Sequence, residues 1–390
     1  MKKLLILQTH AIQYYAPIYC ELTARGNIDV VVAYLTDSGA REYFDPGFNR
    51  MVKWDIDLLT GYRSQVMEPG KELSNTGFWG RNSRELLSIL KSEKPDYILL
   101  YGYSSFMNWR AWWYAWRAGI KILYTSDSNA RIDIFESMVK LAAKRVVVST
   151  FFSKVSHFLY PSEANAEYLL KYGAAQDRMK WSPFAIDVAR FSEAHSVTTK
   201  EYDFVWIGKF IECKRCEDYL RALENITSEG IEFRALLVGD GPCRDEIVKV
   251  AKNLIEQGSL DIRGFANQSE VPKLLTASDT LVFTCDNESY GLVATEAAAS
   301  GCALVVADTI GCVGKNGSAQ PGGNALIYSV GSIIELTNCL RKCLENRGLV
   351  TAMQSASMCI AAEHDIDKAA AIIESVINSQ NIEDSEPADC

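Results

Sequence analysis

The sequence predicts an α/β protein of two doubly wound domains in tandem, and three observations carry that reading. Apolar runs rich in Val, Ile and Leu recur along the chain, helix-length intervals separate them, and one polar stretch interrupts the pattern before it resumes. Continuous apolar runs suit strands buried on both faces, and helix-length spacers suit the crossovers of a parallel sheet. In the first half the runs are KLLILQ (3–8), IDVVVAYL (28–35), DYILLYG (96–102), KILYTS (121–126) and RVVVST (145–150). In the second they are DFVWIG (203–208), FRALLVG (233–239), DTLVFT (279–284) and ALVVA (303–307). The interruption, WSPFAIDVARFSEAHSVTTKEYD (181–203), combines proline with polar residues and sets the boundary near residue 190. Domains over 1–190 and 191–362 follow. From Ile333 the pattern is helical with a break at ENRG (345–348), and residues 380–390 form an acidic tail expected to be disordered.

At 390 residues the chain exceeds what one core usually holds, in keeping with two domains. No apolar stretch reaches the roughly 18 residues of a membrane-spanning helix. The opening MKKLLILQTHAIQ loses its apolar character at Gln8, too early for a signal-peptide core. Eleven cysteines, scattered through strand-like and helix-like segments, suit a reducing compartment, so the chain is expected in the cytoplasm. The net charge of −9 is unevenly placed: residues 1–190 carry 24 Lys/Arg against 19 Asp/Glu, and residues 191–390 carry 16 against 30. The acidic whole argues against general nucleic-acid binding. The basic N-terminal half is open to three readings: an anionic membrane face, an anionic substrate, or plain unevenness of surface charge.

The most informative stretch is NESYGLVATEAAASG (287–301), where Glu288 and Glu296 flank Gly291. With LVFT (281–284) read as a strand, GLVATEAAASG starts the following helix and Gly291 lies at its N-terminus. First-turn amides lack intrahelical acceptors and the helix dipole is positive there, so a phosphate is favoured, and glycine admits its close approach. On one continuous helix a separation of eight residues turns through about 800°, leaving the side chains about 80° apart. The break at Gly291 releases both glutamates to face one ligand. An ordinary strand, loop and helix with two solvated glutamates is the alternative. VWIGKFIECKRCEDYLRAL (205–223) places Gly208 and Lys209 at a strand end and Lys214 at a helix start, where two point charges suit a diphosphate. LLVGDGPCRDEI (236–247) and DIRGFANQSEVPKLLTASD (261–279) each end a strand in a turn, around Gly239 and around Gly264 and Phe265.

In order and spacing, G-K-x4-K at 208–214, VGDGP at 238–242, G-F at 264–265 and E-x7-E at 288–296 resemble the family 4 glycosyltransferases. HAIQYYAP (10–17), PDYILLYGY (95–103), SDS (126–128) and SPFAID (182–187) are similar to a subgroup of that family. The resemblance implies GT-B architecture, two Rossmann-like domains facing a central cleft, with a last helix over 363–379 returning to the N-terminal domain. It implies retaining transfer of a sugar from a UDP- or GDP-sugar to a saccharide or lipid-linked saccharide, in surface polysaccharide or glycoconjugate assembly. No metal and no cofactor are expected, and the enzyme would be cytoplasmic or peripheral at the inner membrane face.

The resemblance also implies roles for residues. Lys209 and Lys214 would hold the diphosphate, and Glu288 the hydroxyls of the donor sugar. Glu296 would bond the ribose, and the amides of Leu292 and Val293 behind Gly291 the distal phosphate. Gly264 and Phe265 would hold the base, with Gly208 and Gly239 completing the donor side. His10, Gln13, Tyr14, Asp127 and Ser128 would face the acceptor. Two departures stand out: Lys209 occupies a position where the family often has Arg, and the loop after the first strand lacks the family's common glycine pair.

Other classes fit less well. A non-catalytic nucleotide-sugar-binding subunit would not need both the lysine pair and the glutamate pair. A nicotinamide-dependent dehydrogenase would need G-x-G-x-x-G where the first strand instead runs into QTHAIQ. WRAWWYAW (109–116) sets Trp109, Trp112, Trp113 and Trp116 on one helical face, either packed on a sheet or lying at a membrane surface. Cys213 and Cys216 form a lone C-x-x-C pair with no second pair to complete a metal site.

Overall fold

The computed structural model describes residues 1–73, 77–130, 138–195 and 199–383. In the N-terminal domain the elements are β1 (Lys2–Gln8), α1 (Ala16–Arg25), β2 (Ile28–Tyr34), β3 (Tyr43–Asp45), β4 (Arg50–Val52), β5 (Arg63–Val66), α2 (Leu86–Glu93), β6 (Tyr97–Tyr101), α3 (Phe106–Ala118), β7 (Lys121–Thr125), α4 (Met138–Phe152), β8 (His157–Tyr160), α5 (Glu163–Lys171) and β9 (Met179–Trp181). Then follow α6 (Val188–His195), β10 (Tyr202–Lys209), α7 (Cys216–Ser228), β11 (Ala235–Asp240), α8 (Arg244–Val250), α9 (Lys252–Glu256), β12 (Leu260–Arg263), α10 (Val271–Thr276), β13 (Ser278–Phe283), α11 (Leu292–Ala299), β14 (Ala303–Ala307) and β15 (Ala325–Tyr328). Three helices end the chain: α12 (Ile333–Glu345), α13 (Arg347–Ala362) and α14 (Ile366–Glu383).

The fold class is the expected one, two parallel α/β sheets in Rossmann-like domains. The first sheet has the order β5-β2-β1-β6-β7-β8-β9 and the second β12-β11-β10-β13-β14-β15, every pairing parallel. Along β1, Leu5 and Leu7 join the core on one face and Leu4 and Ile6 the core on the other, the two-sided burial that its continuous apolar run implies. In each sheet the strand order reverses beside the first strand, between β1 and β6 and between β10 and β13. Loops leaving neighbouring strands on opposite faces open a crevice there, at the carboxyl ends.

One strand expectation is overturned. RVVVST (145–150) is the middle of α4, and the next strand of the sheet is β8, HFLY. Its valines favour a strand locally, but Val148, Phe151 and Phe152 bury at the 3–4 spacing of a helix, and this tertiary contact decides. The tryptophan stripe on α3 divides. Trp109 and Trp112 pack on Phe151 and donate to Tyr103 O and Phe151 O at 3.0 and 2.8 Å, whereas Trp113 and Trp116 stay half-exposed. No described helix is long and apolar enough to cross a membrane.

The chain crosses between the domains twice, side by side: Ile186 N donates to His364 O at 3.0 Å. Beyond that crossing α14 packs on α1, where Ala369 and Ala370 are fully buried, Arg25 reaches Glu374 at 3.2 Å and Tyr97 Oη donates to Ile377 O at 3.2 Å. The helix runs to Glu383, beyond the 379 expected from sequence, and the rest of the acidic tail, 384–390, lies outside the described residues.

Because Ile377 is fully buried in the N-terminal core, Ile377→Asp strands a carboxylate there and is expected to cost about 3 kcal/mol or more. Hydrogen exchange read by mass spectrometry should show faster exchange in α1 and β6 with the β10–β13 region unchanged.

Candidate active site

The two crevices face each other. A cavity of about 540 Å³ is lined from the N-terminal side by His10, Gln13 and Tyr14 of the β1–α1 loop, and from the C-terminal side by Gly208, Lys209, Phe265, Val293 and Glu296. That volume lies within the usual range for small-molecule sites, about 300–1,000 Å³. Lys209 is the last residue of β10, and Val293 and Glu296 lie on α11, which follows β13. The strand-order reversal therefore brings Lys209 together with residues 84 and 87 positions further along the chain.

Gly291 caps α11 with φ 94°, a left-handed conformation open to glycine, and an added Cβ would stand 2.5 Å from Phe283 Cε1. The amides of Leu292 and Val293 lie in the first turn of the helix, where backbone N–H groups lack intrahelical acceptors and favour an anion. The same Phe283 ring lies 5.4 Å from Lys214 Nζ. Lys214 makes a close ion pair with Glu288; burial alone would lower the pKa of the ammonium, but the Glu288 carboxylate keeps it raised and charged. Both lie outside the walls of the 540 Å³ cavity.

Glu296 is buried, and burial pushes its pKa up to about 7, moderated by the Arg190 charge and a hydrogen bond donated by Tyr14 Oη at 3.1 Å. Arg190, in α6, is itself held by Gln268 at 2.8 Å, another residue of the cavity wall. Lys209 forms an ion pair with Asp45 at 2.9 Å and lies 4.8 Å from the Phe48 ring. Asp45 accepts from Gly47 N and Phe48 N in the β3–β4 turn, so the turn aims it. That hairpin crosses the cleft. Phe48 and Trp54 meet the Phe265 ring at 4.8 and 6.2 Å, Arg50 covers it at 5.0 Å, and Lys53 O and Asp55 take hydrogen bonds from Asn267 and Ser269.

Gly208 and Gly239 are paired on β10 and β11; a Cβ on Gly239 would stand 2.0 Å from Gly208 O, so Gly239 serves strand approach and does not line the cavity. Gly264 has open space around it.

Asp127 and Ser128 line a separate cavity of about 250 Å³ at the ends of β1, β6 and β7, with Thr9, Arg81, Tyr103 and Asn108. Asn165 of α5 pins that loop, donating to Ser126 O and Ser128 O at 3.0 and 2.5 Å, and Asn129 donates to Ser289 O across the cleft at 3.0 Å. Burial raises the Asp127 pKa, and the charge of Glu288 from the other domain raises it further. Burial, with help from Arg81, lowers the His10 pKa and keeps the imidazole neutral near pH 7.

Asp45, Phe48, Trp54, Arg81 and Arg190 escaped the sequence reading. Each lies outside the motifs that the sequence reading singled out, and only the fold brings it to the site. Arg190 alone carried a signal, since it stands within the interrupted stretch at the expected domain boundary.

A buried carboxyl with a raised pKa lowers stability once ionised. Stability from neutral Glu296 is complete below its unfolded value near 4.5 and is lost as pH rises through about 7. Between pH 5 and pH 8 the wild type should lose on the order of 2 kcal/mol relative to Glu296→Gln, measured by urea unfolding at both values. Asp45→Asn keeps the acceptor Oδ1 of the turn and removes the charge competing for Lys209. Its expected effect is several-fold tighter binding of inorganic pyrophosphate in titration calorimetry, and unchanged binding would remove Lys209 from the anion site.

Comparison with known proteins adds an independent line. The model described as glycosyl transferases group 1 matches residues 187–362, and the model described as Glycosyltransferase Family 4 matches residues 18–190. N-acetyl-alpha-D-glucosaminyl L-malate synthase of Bacillus anthracis is 32% identical over 118 residues, 30% of each chain. The 2-deoxystreptamine glucosyltransferase of Streptomyces kanamyceticus is 25% identical over 171 residues, 43% of each chain. The chain thus spans less than half the length of these curated relatives. Among solved structures, Anabaena HepE in complex with UDP superposes with TM-score 0.72 at 17% identity, covering 97% of this chain and 100% of that one. Sucrose-phosphate synthase from Thermosynechococcus elongatus gives TM-score 0.71 at 15% identity, covering 99% and 100%. The two family models meet where the second domain begins and together take in both sheets, so the chain belongs to the family 4 glycosyltransferases, with the GT-B fold.

Proposed function

We propose that the protein is a retaining, metal-independent glycosyltransferase. It moves a sugar from a nucleotide-diphosphate donor to a saccharide or lipid-linked saccharide, in assembly of a surface polysaccharide or glycoconjugate. The observation that carries this reading is the meeting of Lys209, Glu296, Phe265 and the α11 N-terminus at one crevice, facing the His10–Tyr14 loop. Cation, helix start, buried carboxyl and aromatic ring suit in turn a diphosphate, its second phosphate, a ribose and a base. A UDP complex of HepE and a GDP-mannose-dependent mannosyltransferase stand among the similar proteins, so UDP- and GDP-sugars are the donors to try first.

In this mechanism the bond from the sugar's anomeric carbon to the diphosphate oxygen breaks, and the diphosphate leaves with the electron pair. The acceptor oxygen bonds to the same face of the carbon, and its proton passes to the departing phosphate oxygen. Lys209, Lys214 and the amides of Leu292 and Val293 stabilise the charge growing on the leaving group; Glu288 holds the donor sugar. Without donor, Asp45 and Glu288 take the lysines and Tyr14 takes Glu296. Donor binding must exchange these partners. Asp127 and the 250 Å³ cavity lie on the acceptor side. The enzyme acts in the cytoplasm, with peripheral contact to the inner membrane face through its N-terminal domain.

A thermal-shift screen of the purified chain against UDP-, GDP- and ADP-sugars tests the donor assignment: at 100 times Kd a true donor stabilises by about 2.7 kcal/mol. Absence of any shift contradicts it. Lys214→Ala and Glu288→Ala should each cut transfer by a factor of about 100 or more while the chain stays folded, with a lowered melting temperature because each leaves its partner charge unmatched. Full activity in either removes that residue from the site.

A further inference from the structure

Helix α4 is apolar on both faces, unlike an ordinary water-facing helix. At 100° per residue, Leu141, Lys144, Val148, Phe151 and Phe152 form a stripe about 100° wide that turns toward the domain. On the opposite side a stripe of equal width holds Val139, Ala142, Ala143, Val146 and Thr150, every one exposed and none charged. Val139 is 81% exposed and Val146 69%. Lys140 and Arg145 border this outer stripe, one on each side.

Sequence and surroundings have the same character. From Tyr97 to Ser162 the sequence carries eight Lys/Arg against three Asp/Glu, namely Asp127, Asp133 and Glu136, and the segments 106–118 and 138–152 of α3 and α4 carry no acidic residue. At the C-terminal end of α4, Lys154 lies over the Trp116 ring at 5.2 Å, and Arg117 over Trp113 at 5.1 Å. These two half-exposed tryptophans thus adjoin the helix, each with a cation at its ring. An apolar stripe bordered by Lys and Arg and continued by indoles matches the headgroup boundary of a bilayer, where methyl groups enter the acyl region, cations meet lipid phosphates and indoles sit between.

We propose that the outer face of α4, with Trp113 and Trp116, is a docking surface for an anionic lipid bilayer. The proposal rests on the membrane part of the reading above and is independent of its donor chemistry. Its geometry agrees with a lipid-linked acceptor. The strands β7 and β8 are parallel, so the helix between them starts at the carboxyl edge of the sheet, the edge that carries Asp127 and Ser128. A bilayer lying along α4 holds lipid headgroups at the rim of the cleft.

The test is co-sedimentation of the full chain with vesicles of phosphatidylcholine alone, or with about a third phosphatidylglycerol. The protein should bind the anionic vesicles only, and added salt should weaken the binding. Val139→Asp together with Val146→Asp places two carboxylates on exposed positions, so the core stays intact; partitioning should fall at least about tenfold. The same variant should keep its melting temperature and its response to nucleotide-sugars, which separates a failure here from a failure of the donor site. Absence of binding to anionic vesicles overturns the proposal, as does equal binding by the variant. A dimer that the variant breaks, in a chain that does not bind vesicles, assigns the face to a second copy and overturns it too.

Discussion

The site depends on one constraint of topology. In a parallel sheet whose order reverses beside its first strand, loops from two adjacent strands diverge to opposite faces and leave a crevice at their carboxyl ends. Both sheets of this chain reverse in this way, and the two crevices meet. Lys209 at the end of β10 and the start of α11 after β13 owe their proximity to that reversal. His10 and Tyr14 after β1, and Asp127 after β7, owe theirs to its counterpart in the first sheet. The double crossing at Ile186 and His364 and the return of α14 to α1 hold the crevices in register.

Electrostatics then decide what the crevice favours. Three donor-side groups are engaged from nearby: Lys209 by Asp45, Lys214 by Glu288 and Glu296 by Tyr14. Two of these partners, Asp45 and Tyr14, come from the other domain, so the charges that would meet a diphosphate also tie the domains together. A buried cation without an anion would be costly, and these pairs prevent that state. The aromatic hairpin over Phe265 adds an apolar tie at the opposite end of the cavity. A ligand that took Lys209 and Glu296 from these partners would also release two ties between the domains.

Much of this was legible in the sequence. Apolar runs at helix-length spacing named most strands, because strands buried on both faces need no alternation. Gly291 announced a helix start, since a left-handed residue against Phe283 admits no Cβ. What escaped was decided by tertiary contact. RVVVST is strand-like by composition and helical because Phe151 must reach the tryptophans of α3 and Phe152 the rings of Tyr124 and Phe158. Gly239 sits in a turn that reads as ligand-binding, yet its missing side chain serves Gly208 O on the next strand. Asp45 and Phe48 lie in a hairpin with no motif at all, and only folding carries them 164 and 217 residues along the chain to Lys209 and Phe265.

The account is tested most directly by a crystal structure of the chain with UDP. It predicts the distal phosphate at the amides of Leu292 and Val293, Lys209 released from Asp45 onto the diphosphate, and the ribose hydroxyls on Glu296 in place of Tyr14. UDP bound elsewhere, with the Lys209–Asp45 and Tyr14–Glu296 pairs intact, would contradict it.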